Sequence, residues 1–383
     1  MSRSLLVVAG EVSGDMHAAG VVRAIKVRVP EVDVFGIGGD ELRAAGAEIL
    51  FHIRDMAVFG PIAVLRRYGH FRRVFREMVR VAEERRPDAV LLVDYGGFNL
   101  RFAAQLKKRG LRILYYISPQ VWASRRGRIR RMAESVDRLM VIFPFEPEVY
   151  ADSGLAVDFV GHPFVDAVAE TMRGPKIPLP WASGPRVAIL PGSRVQEIDR
   201  ILPVMIQAAR ILESVHPSIS FLVASPNAEI GRRVRDLCES RARRPGFPKA
   251  FEVVDGLTRN VVRQADAAMV ASGSATVETA LLRCPMVIVY RGSALFFAIA
   301  KRLVHVPYIG MVNLIAGRML CPELIQNEAQ PKALADASLS LLEETAERET
   351  MLQGFDEVAA KLGEGGAADT VAEMVLLEMR QGT

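Results

Sequence analysis

The chain has 383 residues, half of them apolar and 24% charged, and carries a formal net charge of +5. This length allows two domains with separate cores, and the composition excludes an intrinsically disordered protein. No apolar run approaches the roughly 18 residues that cross a bilayer. The N-terminal run LLVVAG is also too short for the apolar core of a signal peptide, so a cytoplasmic protein is expected. Widely spaced Cys238, Cys284 and Cys321, without a C-x-x-C motif, favour reduced packing residues.

The first part of the chain, residues 1–170, alternates apolar strand candidates with helical patterns. Near-continuous runs of Val, Ile and Leu are typical of a parallel sheet covered by helices on both faces. We therefore predict a doubly wound, Rossmann-like domain here. Its strand candidates are LLVVAG, DVFGIGG, AVLLVDY, RILYYIS, RLMVIFP and DFVG.

The same pattern restarts after a Pro- and Gly-rich stretch at residues 173–186. A second strand series, RVAILPGS, SFLVAS, AFEVVDG, AAMVAS and PMVIVYR, predicts another doubly wound domain over residues 171–350. Residues 351–383 are predicted to be a helical tail, which either packs back on the first domain or swaps between the protomers of a homodimer. The predicted fold class is therefore α/β, with two parallel-sheet domains facing across a cleft and ligand loops at the carboxyl ends of the strands.

The loop after the first strand carries Glu11, Ser13 and Asp15 and precedes an amphipathic pattern. It lacks the G-x-G-x-x-G of a dinucleotide site, and its two carboxylates do not suit a phosphate cradle. An alternative interpretation is that Asp15 favours the first turn of the following helix.

The predicted membrane-contacting segment combines an apolar stripe with many arginines. Residues 62–86 hold eight arginines against three glutamates. This combination suits an amphipathic helix that lies on an anionic lipid surface, although core packing also explains such a stripe. Nucleic acid is not predicted as a partner, because the aromatic residues do not form an interleaved stacking platform. The segment includes Phe59, Ile62, Leu65, Tyr68, Phe71, Arg72 and Phe75.

The stretch VDYGGFNLR at residues 93–101 ends a predicted buried strand with Asp94. A carboxylate at the carboxyl end of a strand is well placed to act as a general base. The alternative is an Asx turn, in which the Asp94 side chain bonds its own backbone.

Two later glycine turns precede helical patterns. In LPGSRVQEI, the turn at Gly192 and Ser193 leads to Arg194, which could bind a diphosphate. The alternative is a capped helix whose arginine is simply solvated. In VASGSATVETAL, a second turn precedes Glu278, whose carboxylate could accept hydrogen bonds from a nucleotide ribose. The alternative is a serine N-cap followed by a capping-box glutamate. The residues of the second turn are Ser272, Gly273 and Ser274.

Several catalytic motifs are absent from the sequence. There is no P-loop, no H-E-x-x-H, no D-x-D and no G-x-S-x-G. Neither P-loop phosphoryl transfer nor a metal site is therefore predicted, and no cofactor is expected.

Together these loops resemble the lipid-A-disaccharide synthase family of GT-B glycosyltransferases, and the resemblance runs nearly end to end. It rests on ordered segments that include AGEVSGDMHAAG, GIGGDELRAAG, VDYGGFN, YYISPQVWA, FPFEPEVY, VGHPFVD, LPGSRVQEI, ASGSATVETALLRCPMVIVYR and PELIQNEAQP. The resemblance implies transfer of 2,3-diacylglucosamine from its UDP derivative to the 6-hydroxyl of 2,3-diacylglucosamine 1-phosphate (lipid X). The implied mechanism is an inverting displacement without a required metal, and both lipid substrates imply contact with the anionic inner membrane surface.

The resemblance also implies roles for individual residues. Asp94 matches the family's catalytic base and Arg194 its diphosphate-stabilising arginine. The loop with Glu11, Ser13 and Asp15 belongs to the acceptor half, where its oxygens can accept hydrogen bonds from sugar hydroxyls, and Asn99 is expected there too. The expected surroundings of UDP are Gly192, Ser193, Ser272, Gly273, Ser274, Glu278, Tyr290, Arg291, Asn313, Glu323 and Gln330.

Two other classes of function remain open from the sequence. One is a different GT-B enzyme that uses a UDP-sugar, such as a peptidoglycan-type UDP-N-acetylglucosamine transferase or a UDP-sugar epimerase. The other is a non-catalytic module that binds UDP-sugar or lipid. Donor turnover without a lipid acceptor would favour the epimerase. UDP binding without turnover, and no effect of Asp94→Asn, would favour the non-catalytic module.

Overall fold

The computed structural model describes residues 3–56, 61–124, 127–242, 247–293, 297 and 306–381. The chain divides into two compact units. The first comprises residues 1–163 together with 364–383, and the second comprises residues 164–363.

The first unit contains a seven-stranded parallel sheet. Its spatial order is β3-β2-β1-β4-β5-β6-β7, so the chain reverses direction across the sheet between β1 and β4. The central strands are fully buried, as their runs of Val, Leu and Ile predict. The strands are β1 (Ser4–Ala9), β2 (Asp33–Gly38), β3 (Glu48–His52), β4 (Ala89–Val93), β5 (Ile113–Tyr116), β6 (Arg138–Val141) and β7 (Ala156–Phe159).

Helices cover this sheet between successive strands. They are α1 (Val12–Arg28), α2 (Asp40–Ala44), α3 (Ile53–Met56), α4 (Pro61–Arg85), α5 (Gly96–Lys107), α6 (Val121–Ser124), α7 (Arg128–Ser135) and α8 (Glu146–Val149), and a short 3₁₀ helix spans Ala151–Ser153. The predicted opening loop is shorter than expected, because α1 already begins at Val12. Ser13 and Asp15 therefore lie in the first turn of a helix rather than in a loop.

The second unit contains a six-stranded parallel sheet in the order β10-β9-β8-β11-β12-β13, with its reversal between β8 and β11. Its strands are β8 (Arg186–Leu190), β9 (Ser220–Ser225), β10 (Phe251–Asp255), β11 (Ala267–Ala271), β12 (Met286–Tyr290) and β13 (Glu323–Ile325). The surrounding helices are α9 (Pro163–Arg173), which starts at the unit boundary, α10 (Val195–Val215), α11 (Ala228–Ala242), α12 (Thr258–Gln264), α13 (Ala275–Leu281), α14 (Met311–Ala316), α15 (Pro331–Leu342) and α16 (Ala346–Lys361). The predicted α/β class with two doubly wound sheets is confirmed.

The last helix, α17 (Ala367–Gln381), belongs to the first unit and packs along α1. Val371 and Val375 on its inner face are fully buried. The two helices approach closely at Gly20, where an added Cβ would lie 3.5 Å from the Cβ of Ala368. The chain thus returns to its first unit after completing the second.

Helix α4 packs part of the predicted membrane-contacting stripe against the core. Val74 and Met78 are fully buried there, and Phe71 and Phe75 are partly buried against the same core. The Phe75 ring contacts that of Phe102 with a centroid distance of 5.7 Å. Phe71 and Phe75 thus contribute to core packing, and their membrane contact stays a prediction. Phe59 and the side chains of Ile62, Leu65 and Tyr68 lie outside the described residues.

Among the residues that the structure describes, no helix combines the length and the apolar character needed to cross a membrane.

Candidate active site

Asp94 lies where β4 ends, next to the point at which the strand order of the first sheet reverses. In doubly wound sheets, ligands bind at the carboxyl ends of the strands at this reversal. Burial, reinforced by the negative charge of Glu11 at the end of β1, raises the pKa of Asp94 to about 6. The negative charge of Glu11 therefore acts on the Asp94 carboxylate, and Asp94 binds a proton more readily than an exposed carboxylate does.

Asp15 bonds backbone groups at the start of α2 through its carboxylate. Its side chain is buried, and its carboxylate accepts hydrogen bonds from the backbone N–H groups of Gly39 (2.6 Å), Glu41 (3.1 Å) and Leu42 (3.2 Å). Three bonds of this kind hold the start of α2 against α1 and occupy the carboxylate. Asp15 therefore has a structural role, and its contact with a sugar hydroxyl stays a prediction. Glu11 and Ser13 are exposed.

Asn99 is also a structural residue. It is fully buried on α5, and its Nδ2 donates to the carbonyl oxygens of Asp94 (2.8 Å) and Val93 (3.3 Å). These bonds hold the turn that carries Asp94. Asn99 therefore contributes to the shape of the turn, and its predicted contact with the acceptor stays a prediction.

In the second unit, the first glycine turn follows β8, at the reversal of the second sheet. Gly192 has φ = 113°, and an added Cβ would lie 2.8 Å from Oε2 of Glu197, so the position requires glycine. Ser193 and Arg194 are exposed, and Arg194 Nη1 donates to Oε1 of Glu197 at 3.0 Å. Glu197 therefore orients Arg194 in the structure.

The second turn follows the neighbouring strand β11. Ser272 Oγ donates to the carbonyl oxygen of Ile309 at 2.7 Å, and Ser274 is exposed. Glu278 is partly buried, and its Oε1 accepts a 2.6 Å hydrogen bond from Nε of Arg259. Sequence reasoning missed Arg259, because it lies in the unremarkable stretch LTRNVV at the start of α12.

The turn after β12 completes this edge of the second sheet. Tyr290 is partly buried and Arg291 is exposed. Burial, followed by the charge of nearby Glu197, raises the pKa of Tyr290. Tyr290 thus lies near Glu197, the residue that bonds Arg194 after β8. The three turns follow strands β8, β11 and β12, which are neighbours in the second sheet.

Three other predicted donor residues are engaged within the second unit. Asn313 is fully buried; its Nδ2 donates to Oε1 of Glu323 at 2.8 Å, and its Oδ1 accepts from two backbone N–H groups. Glu323 also accepts from the N–H groups of Ile309 and Gly310. These contacts assign a structural role to Asn313 and Glu323, while Gln330 is exposed at the start of α15 and donates to Asn327.

Within the described residues, no cluster of three or more His, Cys, Asp or Glu side chains has the arrangement that could hold a metal ion.

Comparison with known proteins gives a consistent family. A family model described as lipid-A-disaccharide synthetase matches residues 5–371. Among curated proteins, the lipid-A-disaccharide synthase of Anaeromyxobacter sp. (strain K) is 42% identical over 385 residues, covering 99% of this chain and 98% of that protein.

Solved structures with the same fold are distant in sequence. UDP-GlcNAc 2-epimerase from Neisseria meningitidis, solved with bound UDP-GlcNAc, has a TM-score of 0.66 at 13% identity, covering 98% of this chain and all of that one. The calicheamicin glycosyltransferase CalG4 has a TM-score of 0.62 at 16% identity, with 99% of both chains covered. These likenesses confirm the predicted GT-B type of fold.

Proposed function

The chain belongs to the lipid-A-disaccharide synthase family, and on that premise we propose how its residues carry out transfer from a UDP-linked lipid sugar. The donor is UDP-2,3-diacylglucosamine and the acceptor is lipid X. The acceptor 6-hydroxyl oxygen forms a bond to the anomeric carbon of the donor sugar, and the bond from that carbon to the diphosphate breaks. The products are the β-1,6-linked disaccharide 1-phosphate and UDP.

Asp94 is the general base that takes the proton of the acceptor hydroxyl. The observation that carries this role is its position at the end of β4 together with its pKa of about 6. A carboxylate with this pKa is largely ionised at pH 7 and yet more basic than an exposed one. Glu11 and Ser13, exposed at the end of β1, provide oxygens for acceptor hydroxyls.

Arg194 stabilises the leaving diphosphate. Its side chain is 73% exposed, and one N–H group bonds Glu197, which leaves further N–H donors for phosphate oxygens. The backbone N–H groups at the start of α10, after Gly192 and Ser193, add donors of the kind that bind anions at a helix N-terminus. These groups supply positive charge where the leaving group develops negative charge.

The uridine part of the donor binds along the turns after β11 and β12. Glu278 has one carboxylate oxygen paired with Arg259, and we assign the other to the ribose hydroxyls. Ser272, Gly273, Ser274, Tyr290, Arg291 and Gln330 surround the nucleotide in this proposal. The bound UDP-GlcNAc of the Neisseria epimerase supports a UDP-sugar as the ligand class for this fold.

Peripheral contact with the anionic inner face of the inner membrane is proposed for α4. Arg72, Arg73 and Arg76 are exposed on the described part of this helix. Juxtaposed arginines attract anionic lipid headgroups over about a Debye length. A homodimer stays a prediction.

The experiment is direct. The purified protein is incubated with UDP-2,3-diacylglucosamine and lipid X, and products are identified by mass spectrometry. Disaccharide 1-phosphate and UDP in equal amounts are expected, and omission of lipid X should stop UDP release. Turnover of the donor without lipid X would instead favour a UDP-sugar epimerase or hydrolase.

A further inference from the structure

The backbone at the end of β4 adopts a conformation that its residues disfavour. Asp94 has φ = 47° and Tyr95 has φ = 50°, so two successive non-glycine residues occupy the left-handed region. Such a conformation costs free energy, more for an aromatic residue than for Asp, and persists only where the surroundings impose it. The direction of the Asp94 side chain depends on this turn.

Two buried donors hold the turn through a single carbonyl group. The Asp94 carbonyl oxygen accepts from Oη of Tyr115 at 2.5 Å and from Nδ2 of Asn99 at 2.8 Å. Tyr115 lies on β5, which pairs directly with β4, and its side chain is fully buried. Burial and the charge of Asp94 raise the pKa of Tyr115 well above its ordinary value, so its hydroxyl remains a donor throughout the working pH range.

Packing restricts the same turn from its other sides. An added Cβ at Gly10 would overlap the Tyr95 ring at 2.2 Å, and one at Gly96 would lie 2.9 Å from Pro119. These contacts confine Tyr95 and Gly96. The carbonyl of Asp94, in contrast, is fixed by the hydrogen bonds from Tyr115 and Asn99.

We propose that Tyr115 is a positioning residue for sugar transfer, whose hydroxyl locks the Asp94 carbonyl and thereby directs the Asp94 carboxylate at the acceptor hydroxyl. This inference rests on the proposed role of Asp94 as the base. Tyr115 itself touches no substrate. Its loss changes the orientation and hydration of the carboxylate while substrate binding is retained.

The test is Tyr115→Phe, which removes one oxygen and keeps the ring in the core. We expect kcat to fall about tenfold or more, because small misplacements of a catalytic group are costly, whereas both KM values change by less than about twofold. The acid limb of the plot of kcat against pH should move to lower pH. The Asp94 carboxylate, no longer held in place, becomes better hydrated, and hydration lowers its pKa. Asn99→Ser removes the second donor to the same carbonyl and should move the limb in the same direction.

Tyr150→Phe is the matched control. Tyr150 is 1% exposed in the same core, and its hydroxyl bonds Oγ of Ser118 at 2.5 Å instead of Asp94. Its loss should lower the melting temperature about as much as Tyr115→Phe, with kcat and the acid limb unchanged. An equal loss of kcat in both variants would overturn the proposal, as would a Tyr115→Phe enzyme with unchanged kcat and acid limb. Wild-type turnover in Asp94→Asn would instead overturn the proposed base.

Discussion

At the scale of single residues, the proposed base Asp94 should determine the pH dependence of transfer. Its pKa of about 6 predicts that kcat/KM falls below pH 6 with a slope of one proton. Asp94→Asn should remove this acid limb and lower kcat by between about a hundredfold and ten-thousandfold, the usual contribution of a general base. UDP affinity, measured by calorimetry, should be retained. A residual activity that still shows the acid limb would assign the titration to another group.

The same carboxylate destabilises the folded protein at neutral pH. The folded-state pKa of about 6 lies above the ordinary value of 3.8, so the native protein binds more protons than the unfolded chain between about pH 4 and 6. The contribution of Asp94 to stability therefore decreases as pH rises through this window and stays low above it. Asp94→Asn should raise the free energy of unfolding at pH 7.5 by up to about 3 kcal/mol, the equivalent of this pKa difference, and the gain should become small near pH 4. Urea titrations at the two pH values provide the measurement.

Arg259 tests the proposed ribose site. Its 2.6 Å bond to Glu278 orients the carboxylate whose other oxygen we assign to ribose. Arg259→Met should weaken UDP binding about tenfold, because Glu278 is no longer oriented to accept hydrogen bonds from the ribose hydroxyls. Binding of 2′-deoxy-UDP, which lacks one of these hydroxyls, should weaken less. Arg233→Met is the control, since Arg233 pairs with Asp199 elsewhere in the second unit. Equal weakening of both nucleotides would remove the ribose assignment.

The sequence identifies which loops matter better than it identifies the role of each polar residue in them. Asp94 and Arg194 follow strands, and parallel topology alone predicts that they lie at a ligand-binding edge. Asp15, Asn99 and Asn313 are predicted ligand contacts, and in the structure each of them also bonds backbone groups of its own unit. Carboxylate and amide side chains can bond either a ligand or a backbone group. Which of these they bond depends on segments distant in sequence, such as the start of α2, and the local pattern does not reveal them.

At the scale of elements, different residues of α4 serve core packing and the proposed membrane contact. Phe75 packs on Phe102, and Arg72 on the same helix is exposed. Phe75→Ser should lower the free energy of unfolding by about 2 kcal/mol, less than a fully buried Phe would cost. Arg72→Ser should leave stability unchanged and reduce sedimentation with vesicles containing anionic lipid. If Phe75→Ser lowered vesicle binding at unchanged stability, the ring would belong to the membrane surface.

Helix α17 is held to the first unit by a buried ion-pair network. Glu378 is 1% exposed and accepts from Nε of Arg112 at 2.7 Å and from Nε of Arg138 at 2.8 Å. Glu378→Gln should destabilise the first unit by about 2 kcal/mol, because a charge-assisted pair is lost while its partners remain. The control is Glu373→Gln on the same helix, where the side chain is 68% exposed and pairs with Arg28. The control should change thermal stability much less.

At the scale of the whole molecule, apolar runs identify both sheets because buried parallel strands need them. The return of the chain to its first unit has no comparable local signal. Residues 351–383 read simply as helices, and the surface that α17 covers is formed by α1, more than 300 positions earlier. The sequence is compatible with either packing of the tail on the first domain or its exchange between protomers. In the structure, α17 packs on α1 of the same chain.

The discontinuity of the first unit predicts different behaviour for fragments. Residues 164–363 are continuous and contain the whole six-stranded sheet with the turns after β8, β11 and β12. This fragment should fold alone, melt cooperatively and bind UDP with an affinity within about tenfold of that of the full chain. Residues 1–163 alone should unfold at a lower temperature and without a cooperative transition, because the apolar side chains of α1 that α17 covers become exposed. Joining residues 364–383 to them by a short linker should restore a cooperative transition. Differential scanning calorimetry of the three fragments measures this difference, and an unfolded 164–363 fragment would mean that the second sheet depends on residues outside its own unit.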